Sequence, residues 1–231
     1  MIEYKVWINY ILFKLHIRKI LPNKIINRVK VKECGEELQE VETKKYRIIV
    51  DKRMKEPIFL RKSVCEKIYK LAEDLLKENL RIKIYDAYRS KEEQEQSWEK
   101  RLEETKKENP GLPPEEIERL TNLKVANPKD LKNVGGHQTG GAIDLTITDL
   151  DGNELDMGTK YEEYNENTKT YSKNINSNVI KNREILLNKM QKLGFANFPA
   201  EWWHFCYGDK MWAAYKSKKT AFYGYKRGIN I

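Results

Sequence analysis

The stretch Gly135-Gly-His137-Gln-Thr-Gly-Gly-Ala-Ile-Asp144-Leu-Thr146 decides how the rest of the chain is arranged. From Ala142 onward, apolar and polar residues alternate, which is typical of a β-strand with two unlike faces. The apolar residues from Ile143 to Ile147 belong to the face that packs into the core. Asp144 belongs to the opposite face. We therefore expect a half-buried strand that presents Asp144 to a site.

A second stretch, Glu201-Trp-Trp-His204-Phe, places another histidine close to an acid. The chain has three histidines, His16, His137 and His204. A catalytic Zn²⁺ site takes imidazole and carboxylate ligands and keeps one position open for water. His137, Asp144 and His204 could supply three ligands, which would leave Glu201 free as a general base. An acid and a histidine three residues apart diverge on a flat strand, so we expect the chain to bend just before His204.

The residues alone leave other interpretations open. An isolated histidine near glycine and aspartate is more often a loop residue than a metal ligand, although the paired motifs favour a ligand. Arg89 follows a predicted strand over 80–88 and precedes a capping box, Ser90-Lys-Glu-Glu93. Its guanidinium could stabilise an oxyanion or bind a carboxylate. A surface charge is the alternative for Arg89, and spacing alone favours it.

Other segments predict the fold class. Ser63-Val-Cys-Glu66 is a further capping box, followed by apolar residues at helical spacing to Leu76. A second helix is predicted over 179–193, and residues 195–207 are aromatic and strand-like. Residues 101–130 contain helix breakers and are expected to pass over the surface. The order of elements predicts an α+β fold, with helices packed on a central, mainly antiparallel β-sheet.

Composition excludes several classes of protein. The chain of 231 residues is 39% hydrophobic and 34% charged, which is typical of a soluble globular protein. Its net charge is +9, but lysine is interspersed with glutamate and no basic stretch alternates with aromatic residues. This favours a lysine-rich composition over a nucleic-acid partner. Three cysteines without a Cys-x-x-Cys pair favour a reducing compartment, and we expect a cytoplasmic protein. Cys206 is expected to be a packed thiol rather than a nucleophile.

Residues 1–40 are predicted to form a helical, basic extension, and residues 41–231 the catalytic domain. The apolar run from Val6 to Phe13 is too short to span a bilayer and lacks a cleavage site. A basic helix that makes weak contact with a membrane surface through residues 1–20 is one interpretation. A helix packed on the domain is the other.

His137-Gln-Thr-Gly-Gly-Ala-Ile-Asp144 resembles the metal-binding motif of the D-alanyl-D-alanine dipeptidases, which include enzymes of vancomycin resistance and are related to zinc D,D-carboxypeptidases. Glu201-Trp-Trp-His204-Phe is similar to their second motif. Tyr85-Asp-Ala-Tyr-Arg89 resembles the segment with their catalytic arginine. Met157-Gly-Thr-Lys-Tyr-Glu162 is similar to a loop whose last acid, usually Asp, binds the substrate amino group. The four motifs occur in matching order within residues 45–225.

The resemblance implies that His137, Asp144 and His204 bind one Zn²⁺ per chain, with Glu201 as base. It implies that Arg89 stabilises the tetrahedral intermediate and that Glu162 binds the substrate ammonium. The implied activity is hydrolysis of D-Ala-D-Ala or a similar D-containing dipeptide, without nucleic acid or an obligate protein partner.

Two alternatives remain, a D,D-carboxypeptidase acting on peptidoglycan stem peptides and a non-catalytic protein that binds cell wall or membrane. The sequence departs from the resistance enzymes at Gly135, where they carry a substrate-contacting serine. This departure leaves the substrate less defined than the reaction class.

Overall fold

A five-stranded, mainly antiparallel sheet forms the centre of the molecule, as the sequence predicted. The computed structural model describes residues 2–15, 19–130 and 134–228. Its strands, in spatial order, are β3 (Ile49–Val50), β5 (Arg81–Asp86), β6 (Ala142–Thr148), β8 (His204–Cys206) and β7 (Ala196–Asn197), and β3 and β5 form the parallel pair. The nine strands of the described residues are β1 (Lys30–Val31), β2 (Leu38–Glu40), β3 (Ile49–Val50), β4 (Phe59–Arg61), β5 (Arg81–Asp86), β6 (Ala142–Thr148), β7 (Ala196–Asn197), β8 (His204–Cys206) and β9 (Thr220–Ala221).

Helices pack against this sheet. One hydrophobic core contains the apolar residues of β6, Leu71 and Leu75 of α3 (Lys62–Leu76), and Leu186 and Met190 of α6 (Ser177–Lys192). The described helices are α1 (Ile2–Lys14), α2 (Asn23–Ile26), α3 (Lys62–Leu76), α4 (Lys91–Glu108), α5 (Pro114–Asn122), α6 (Ser177–Lys192) and α7 (Lys210–Tyr215). The α+β architecture is confirmed.

Strand β6 is the middle strand, and all seven of its residues are buried. The expectation of a half-buried strand is therefore wrong, because the polar face of β6 is covered by the loops and side chains of a cavity. The alternation itself is confirmed. Ile143, Leu145 and Ile147 belong to the hydrophobic core, while Asp144 lines the cavity.

The two predicted capping boxes have different outcomes. The Ser90 hydroxyl accepts a hydrogen bond from the Glu93 amide, and the Glu93 carboxylate accepts one from the Ser90 amide. This capping box is confirmed. The box at Ser63 is wrong, because Glu36 accepts hydrogen bonds from both the amide and the hydroxyl of Ser63, at 2.5 and 2.9 Å. A carboxylate from a distant segment thus satisfies the first turn of α3, where the helix dipole favours negative charge.

The amino-terminal segment makes contacts with several parts of the structure. Strand β1 pairs with β9, and β2 pairs with β4. Glu33 accepts hydrogen bonds from the buried Arg61. The division of the chain at residue 40 stays a prediction. His16 and Arg18, which contribute to the predicted basic helix, lie outside the described residues. Where the structure describes the chain, none of its helices has the length and apolar character that crossing a bilayer requires.

Candidate metal centre

His137 lies in a 3₁₀ turn, Gly136–Thr139, immediately before β6. Its Nδ1 atom is 2.7 Å from the carbonyl oxygen of Ala87. A carbonyl oxygen only accepts, so Nδ1 carries the hydrogen and Nε2 keeps its lone pair. That Nε2 atom lies 3.4 Å from Oδ1 of Asp144. The turn therefore presents His137 as a ligand whose orientation is fixed by the backbone of another segment.

His204 reaches the same carboxylate from the neighbouring strand. Asp144 and His204 are directly paired in the β6–β8 register, and Nδ1 of His204 lies 2.8 Å from Oδ1 of Asp144. Nε2 of His204 is buried and has no hydrogen-bond partner. Ligand atoms of His137, Asp144 and His204 all lie within 4.8 Å of one another, and all three residues are buried. Two imidazoles and a carboxylate at this separation can hold a metal ion such as Zn²⁺.

The glycines around His137 are required by close packing. A Cβ on Gly136 would lie 2.7 Å from Oδ2 of Asp209 and 3.8 Å from Nε2 of His204. A Cβ on Gly140, which has a φ of +71°, would lie 2.4 Å from Cδ2 of Leu38. Side chains at either position would displace the turn that carries His137. The buried Asp209 carboxylate and Nε2 of His204 thus lie on the same side of Gly136, a relation that the sequence did not reveal.

Arg61 is a second residue that the sequence did not single out. Its side chain is completely buried, and its Nε donates to the carbonyl oxygen of Thr139 at 2.7 Å. Its backbone amide donates to the carbonyl of Gly140. Arg61 therefore holds the end of the His137 turn. Nothing in its local sequence indicates this role, because Thr139 is 78 positions away.

Glu201 lies in a tight turn just before β8, as expected. Its amide donates to the carbonyl of Phe198, and the His204 amide donates to the carbonyl of Glu201. The side chain of Asn197 donates to both the Glu201 and His204 carbonyls, at 3.1 and 2.9 Å, which braces the turn. The Glu201 carboxyl is buried. Its pKa is raised to about 7, mainly by burial; the His204 imidazole lowers it and the Asp144 carboxylate raises it, and both effects are included in that value.

The charge on Asp144 is stabilised by its neighbours. Burial alone would raise the pKa of this carboxyl, but the imidazoles of His137 and His204 lower it well below its usual range. For His137, burial lowers the pKa, while the Asp86 and Asp144 carboxylates raise it by more. Tyr161 donates to Oδ2 of Asp144 at 3.0 Å. Tyr161 was missed as a site residue, although it belongs to the quoted 157–162 segment.

Arg89 lies just after β5 and its side chain is only 15% exposed, so the alternative of a surface charge is wrong. Its Nε donates to Oδ2 of Asp86 at 2.6 Å, its Nη2 forms an ion pair with the same oxygen, and its amide donates to the carbonyl of His137. Asp86 thus fixes Arg89 on the side of the cavity next to the first histidine. The spacing of three residues between them was visible in the sequence.

Glu162 approaches from the loop after β6. Its backbone has a φ of +62°, a left-handed conformation that is uncommon for glutamate. Its carboxylate lies 3.6 Å from both Arg53 and Lys100, and 37% of the side chain is exposed. Glu162 is therefore more accessible than the buried residues around Asp144.

One cavity of about 660 Å³ brings the predicted residues together. Its lining includes all six of them, Arg89, His137, Asp144, Glu162, Glu201 and His204. The expectation for residues 101–130 needs correction in part, because Arg101 and Glu104 of α4 and residues 122–127 line the cavity. Cys206 is buried with its Sγ 3.5 Å from the carbonyl of Ala196, and burial raises its pKa. It is a packed thiol, as predicted.

The chain is similar in sequence to known proteins. Residues 43–223 match a family described as "D-ala-D-ala dipeptidase". A D-alanyl-D-alanine dipeptidase of Escherichia coli (strain K12) is 32% identical over 126 residues, 54% of this chain and 54% of that protein. A D-alanyl-D-alanine dipeptidase of Synechocystis is 33% identical over 105 residues, 38% of this chain and 42% of that protein. The matched regions thus span about half the length of these relatives.

A solved structure described as "VanYB in complex with D-Alanine-D-Alanine" is similar over 84% of this chain and 94% of the other. The sequence identity is 14%, and the TM-score is 0.49.

Proposed function

The chain belongs to the D-ala-D-ala dipeptidase family, and from this premise we propose that it hydrolyses D-alanyl-D-alanine or a similar small D-containing dipeptide with one bound zinc ion. One observation carries the proposal. Six residues that the family motifs imply lie as far apart in sequence as Arg89 and His204, yet all of them line one cavity.

His137, Asp144 and His204 are proposed to hold the zinc ion. When bound, Zn²⁺ supplies a Lewis acid and lowers the pKa of a bound water from 15.7 to roughly 7. The residues fit this ion because the ligand atoms are already grouped and His137 keeps its Nε2 lone pair toward Asp144. Tyr161 donates a hydrogen bond to the Asp144 carboxylate, and the Ala87 carbonyl accepts one from the His137 imidazole. Such partners commonly orient metal ligands.

Glu201 is proposed to be the general base. Its carboxyl is buried beside the ligands, and burial brings its pKa to about 7, where a group can both accept and release a proton near neutral pH. In the first step Glu201 takes a proton from the attacking water. In the second step it gives that proton to the amine of the departing amino acid.

Arg89 and Glu162 are proposed to bind two different groups of the substrate, the carbonyl oxygen under attack and the free ammonium group. The guanidinium of Arg89 is held by Asp86 and offers donors to the oxygen that becomes negative as the carbonyl is attacked. Glu162 offers a carboxylate to the substrate's free ammonium group. A peptide with a blocked amino terminus lacks this partner, so Glu162 favours a free dipeptide over an acylated peptide.

A longer substrate is a second candidate, and the size of the cavity favours it. About 660 Å³ lies in the range of roughly 300–1,000 Å³ that holds drug-sized ligands and exceeds the needs of two alanines. A D,D-carboxypeptidase would place the rest of a stem peptide along α4 and residues 122–127.

The deciding experiment incubates the purified, zinc-loaded chain with free D-Ala-D-Ala, with N-acetylated D-Ala-D-Ala and with acylated muropeptides, and measures released D-alanine. We expect turnover of the free dipeptide. Turnover of the acylated peptides alone would assign the carboxypeptidase activity instead. A protein that binds no metal and cleaves none of the three would be a binding protein, which metal analysis of the same sample would show.

We also propose that residues 41–231 form the catalytic domain and that the protein works in the cytoplasm. The thiols of Cys34, Cys65 and Cys206 are free, which supports a reducing compartment. Fractionation of cells that produce the full chain tests the location. Activity of a chain that begins at residue 41 tests the domain boundary.

A further inference from the structure

The net positive charge of the protein is concentrated near its amino terminus. Residues 4–32 contain no Asp or Glu and eight basic residues, Lys5, Lys14, Arg18, Lys19, Lys24, Arg28, Lys30 and Lys32. The other residues contain 36 Lys and Arg against 35 Asp and Glu, so they are almost neutral. The expectation of evenly interspersed charge is therefore wrong for this segment. The segment, not the whole chain, is what an anionic partner would recognise.

Helix α1 has an exposed apolar face within this basic segment. Trp7, Ile8, Ile11 and Leu15 are 46%, 38%, 54% and 62% exposed. Their spacing of one, four and eight residues places them on one side of a helix. Apolar residues scattered over a surface are normal, but a contiguous row of four along one helix face indicates an interaction surface.

The opposite side of α1 is packed on the domain. The ring of Phe13, on that side, meets the ring of Tyr215 edge to face at 5.6 Å. Lys14 lies next to Trp7 at the edge of the apolar row, and its Nζ donates to the hydroxyl of Ser217 at 2.9 Å, which is a second contact between α1 and the domain. The Tyr215 hydroxyl accepts a hydrogen bond from the amide of Leu21. The apolar face is therefore turned outward by contacts that hold the other face.

We propose that α1 docks on the surface of an anionic lipid bilayer and lies in the plane of the interface. An exposed apolar row with a tryptophan, in a segment whose charged residues are all basic, has the apolar and the electrostatic contacts that such docking requires. The guanidinium of Arg28 lies 5.3 Å from the centre of the Trp7 ring, so a cation adjoins the apolar row itself. Anionic headgroups would attract the lysines and arginines while the apolar side chains enter the acyl boundary.

Charge argues against a second copy of the chain as the occupant. Docking α1 on α1 would bring two segments together that each carry eight basic residues and no acid between residues 4 and 32. Like charges on apposed surfaces oppose association. An anionic bilayer has the complementary sign.

Docking would also place the cavity close to the lipid surface. Asn23, Ile26 and Asn27, from α2 and its end, line the same cavity as the metal cluster. Helices α1 and α2 are in contact. The bilayer would then lie beside the cavity lining that α2 contributes.

Co-sedimentation of the full chain with vesicles tests this proposal. The probes are vesicles of equal parts phosphatidylglycerol and phosphatidylcholine, and vesicles of phosphatidylcholine alone. We expect binding to the anionic vesicles that weakens as salt is raised, because the Debye length falls from about 10 Å at 0.1 M to about 3 Å at 1 M. Equal binding to both kinds of vesicle, or to neither, would overturn the proposal.

Two sets of substitutions separate the apolar and charged contributions. Trp7→Gln, Ile11→Gln and Leu15→Gln together should weaken binding at least about tenfold, since they remove three apolar side chains that docking would bury in the bilayer. The matched control substitutes exposed apolar residues elsewhere, Leu112→Gln, Leu150→Gln and Ile180→Gln. This control should bind like the wild type.

The charged set is Lys19→Gln, Lys24→Gln and Arg28→Gln, and it should also weaken binding at least about tenfold. Its control neutralises exposed lysines on other helices, Lys70→Gln, Lys181→Gln and Lys192→Gln. Circular dichroism and hydrolytic activity should be unchanged in all four variants. If sedimentation velocity showed a dimer that the apolar substitutions dissociate, with no vesicle binding, α1 would be a self-association surface and the proposal would be wrong.

Discussion

The cavity has two parts that differ in how their side chains are held. We call His137, Asp144, Glu201 and His204 the floor; their exposed fractions are 7%, 3%, 8% and 7%. Strand register and backbone hydrogen bonds fix the floor. We call Glu162 together with Lys100 of α4 the wall; their side chains are 37% and 64% exposed and meet at 3.6 Å. Such partly exposed ion pairs contribute little to stability, about 0–1 kcal/mol.

Under the proposed function, the chemical step would depend on the buried, fixed floor, and substrate recognition would depend on the more exposed wall. In the floor, a small displacement alters ligand geometry and proton transfer. In the wall, residues can change with modest loss. Substitutions in the floor should therefore affect kcat or metal affinity, and substitutions in the wall should affect KM.

The largest effect is expected for Glu201→Gln in the floor. Loss of the general base should lower kcat by about 10²–10⁴-fold while the metal content stays at one per chain. Steady-state kinetics and elemental analysis measure the two quantities. Glu166→Gln, on the exposed surface, is the matched control. Wild-type turnover in the Glu201 variant would show that another group accepts the proton.

Arg89→Lys comes next, because lysine keeps the charge but not the planar fork held by Asp86. We expect kcat to fall by about 10²–10³-fold, as for the loss of an oxyanion donor. Arg119→Lys, which alters an exposed pair with Glu116, should have no effect. A rise in KM with unchanged kcat would show that Arg89 binds the substrate, as is proposed for Glu162 of the wall, and does not stabilise the oxyanion.

The buried carboxyl of Glu201 should also make stability depend on pH in the metal-free protein. Burial raises its pKa from 4.5 to about 7, so the folded state holds the proton more tightly than the unfolded state. Relative to Glu201→Gln, the wild type should lose about 3 kcal/mol of unfolding free energy as pH rises from 4.5 to 7. Urea unfolding of both proteins across this range measures the difference. Parallel pH profiles would contradict the buried position of Glu201.

Tyr161 contacts Asp144 of the floor and precedes Glu162 of the wall in the sequence, so Tyr161→Phe tests a residue that connects the two parts. The substitution removes the hydroxyl that donates to Oδ2 of Asp144 and keeps the ring that stacks on Tyr85. We expect the Kd for zinc to rise about 10–100-fold, the usual effect of losing a partner of a metal ligand. Competition with a zinc chelator measures it. Tyr171→Phe is the control, and an unchanged Kd would mean that the hydrogen bond is dispensable.

The smallest effect is expected for Glu162→Gln in the wall. Removing the charge should raise KM for the free dipeptide about tenfold, which corresponds to 1.4 kcal/mol, and leave kcat within about twofold. Cleavage of an acylated peptide, if it occurs, should not change, because that substrate has no ammonium group. Glu99→Gln, which is exposed on α4, is the control. A large loss of kcat would show that the wall takes part in the chemical step.

Much of the fold and the site could be predicted because the decisive signals are local. Alternation along β6 gave the strand and the direction of Asp144, and the capping box at Ser90 gave the start of α4. The same capping pattern at Ser63 failed, because Glu36 competes for the amide that a local cap would have used. Local rules hold where no distant residue offers a better partner.

The sequence by itself determined the strand that carries Asp144, the turn before His204 and, through motifs, six residues that line one cavity. Backbone periodicity and residue chemistry are properties of short segments, so they can be read along the chain. Only the tertiary structure decided that Arg61 holds the His137 turn, that Asp86 fixes a largely buried Arg89 and that Tyr161 contacts Asp144. It also decided that α1 turns an apolar row outward. Such contacts depend on which surfaces meet after the chain folds. Residue spacing and composition in a single sequence do not show which surfaces these are.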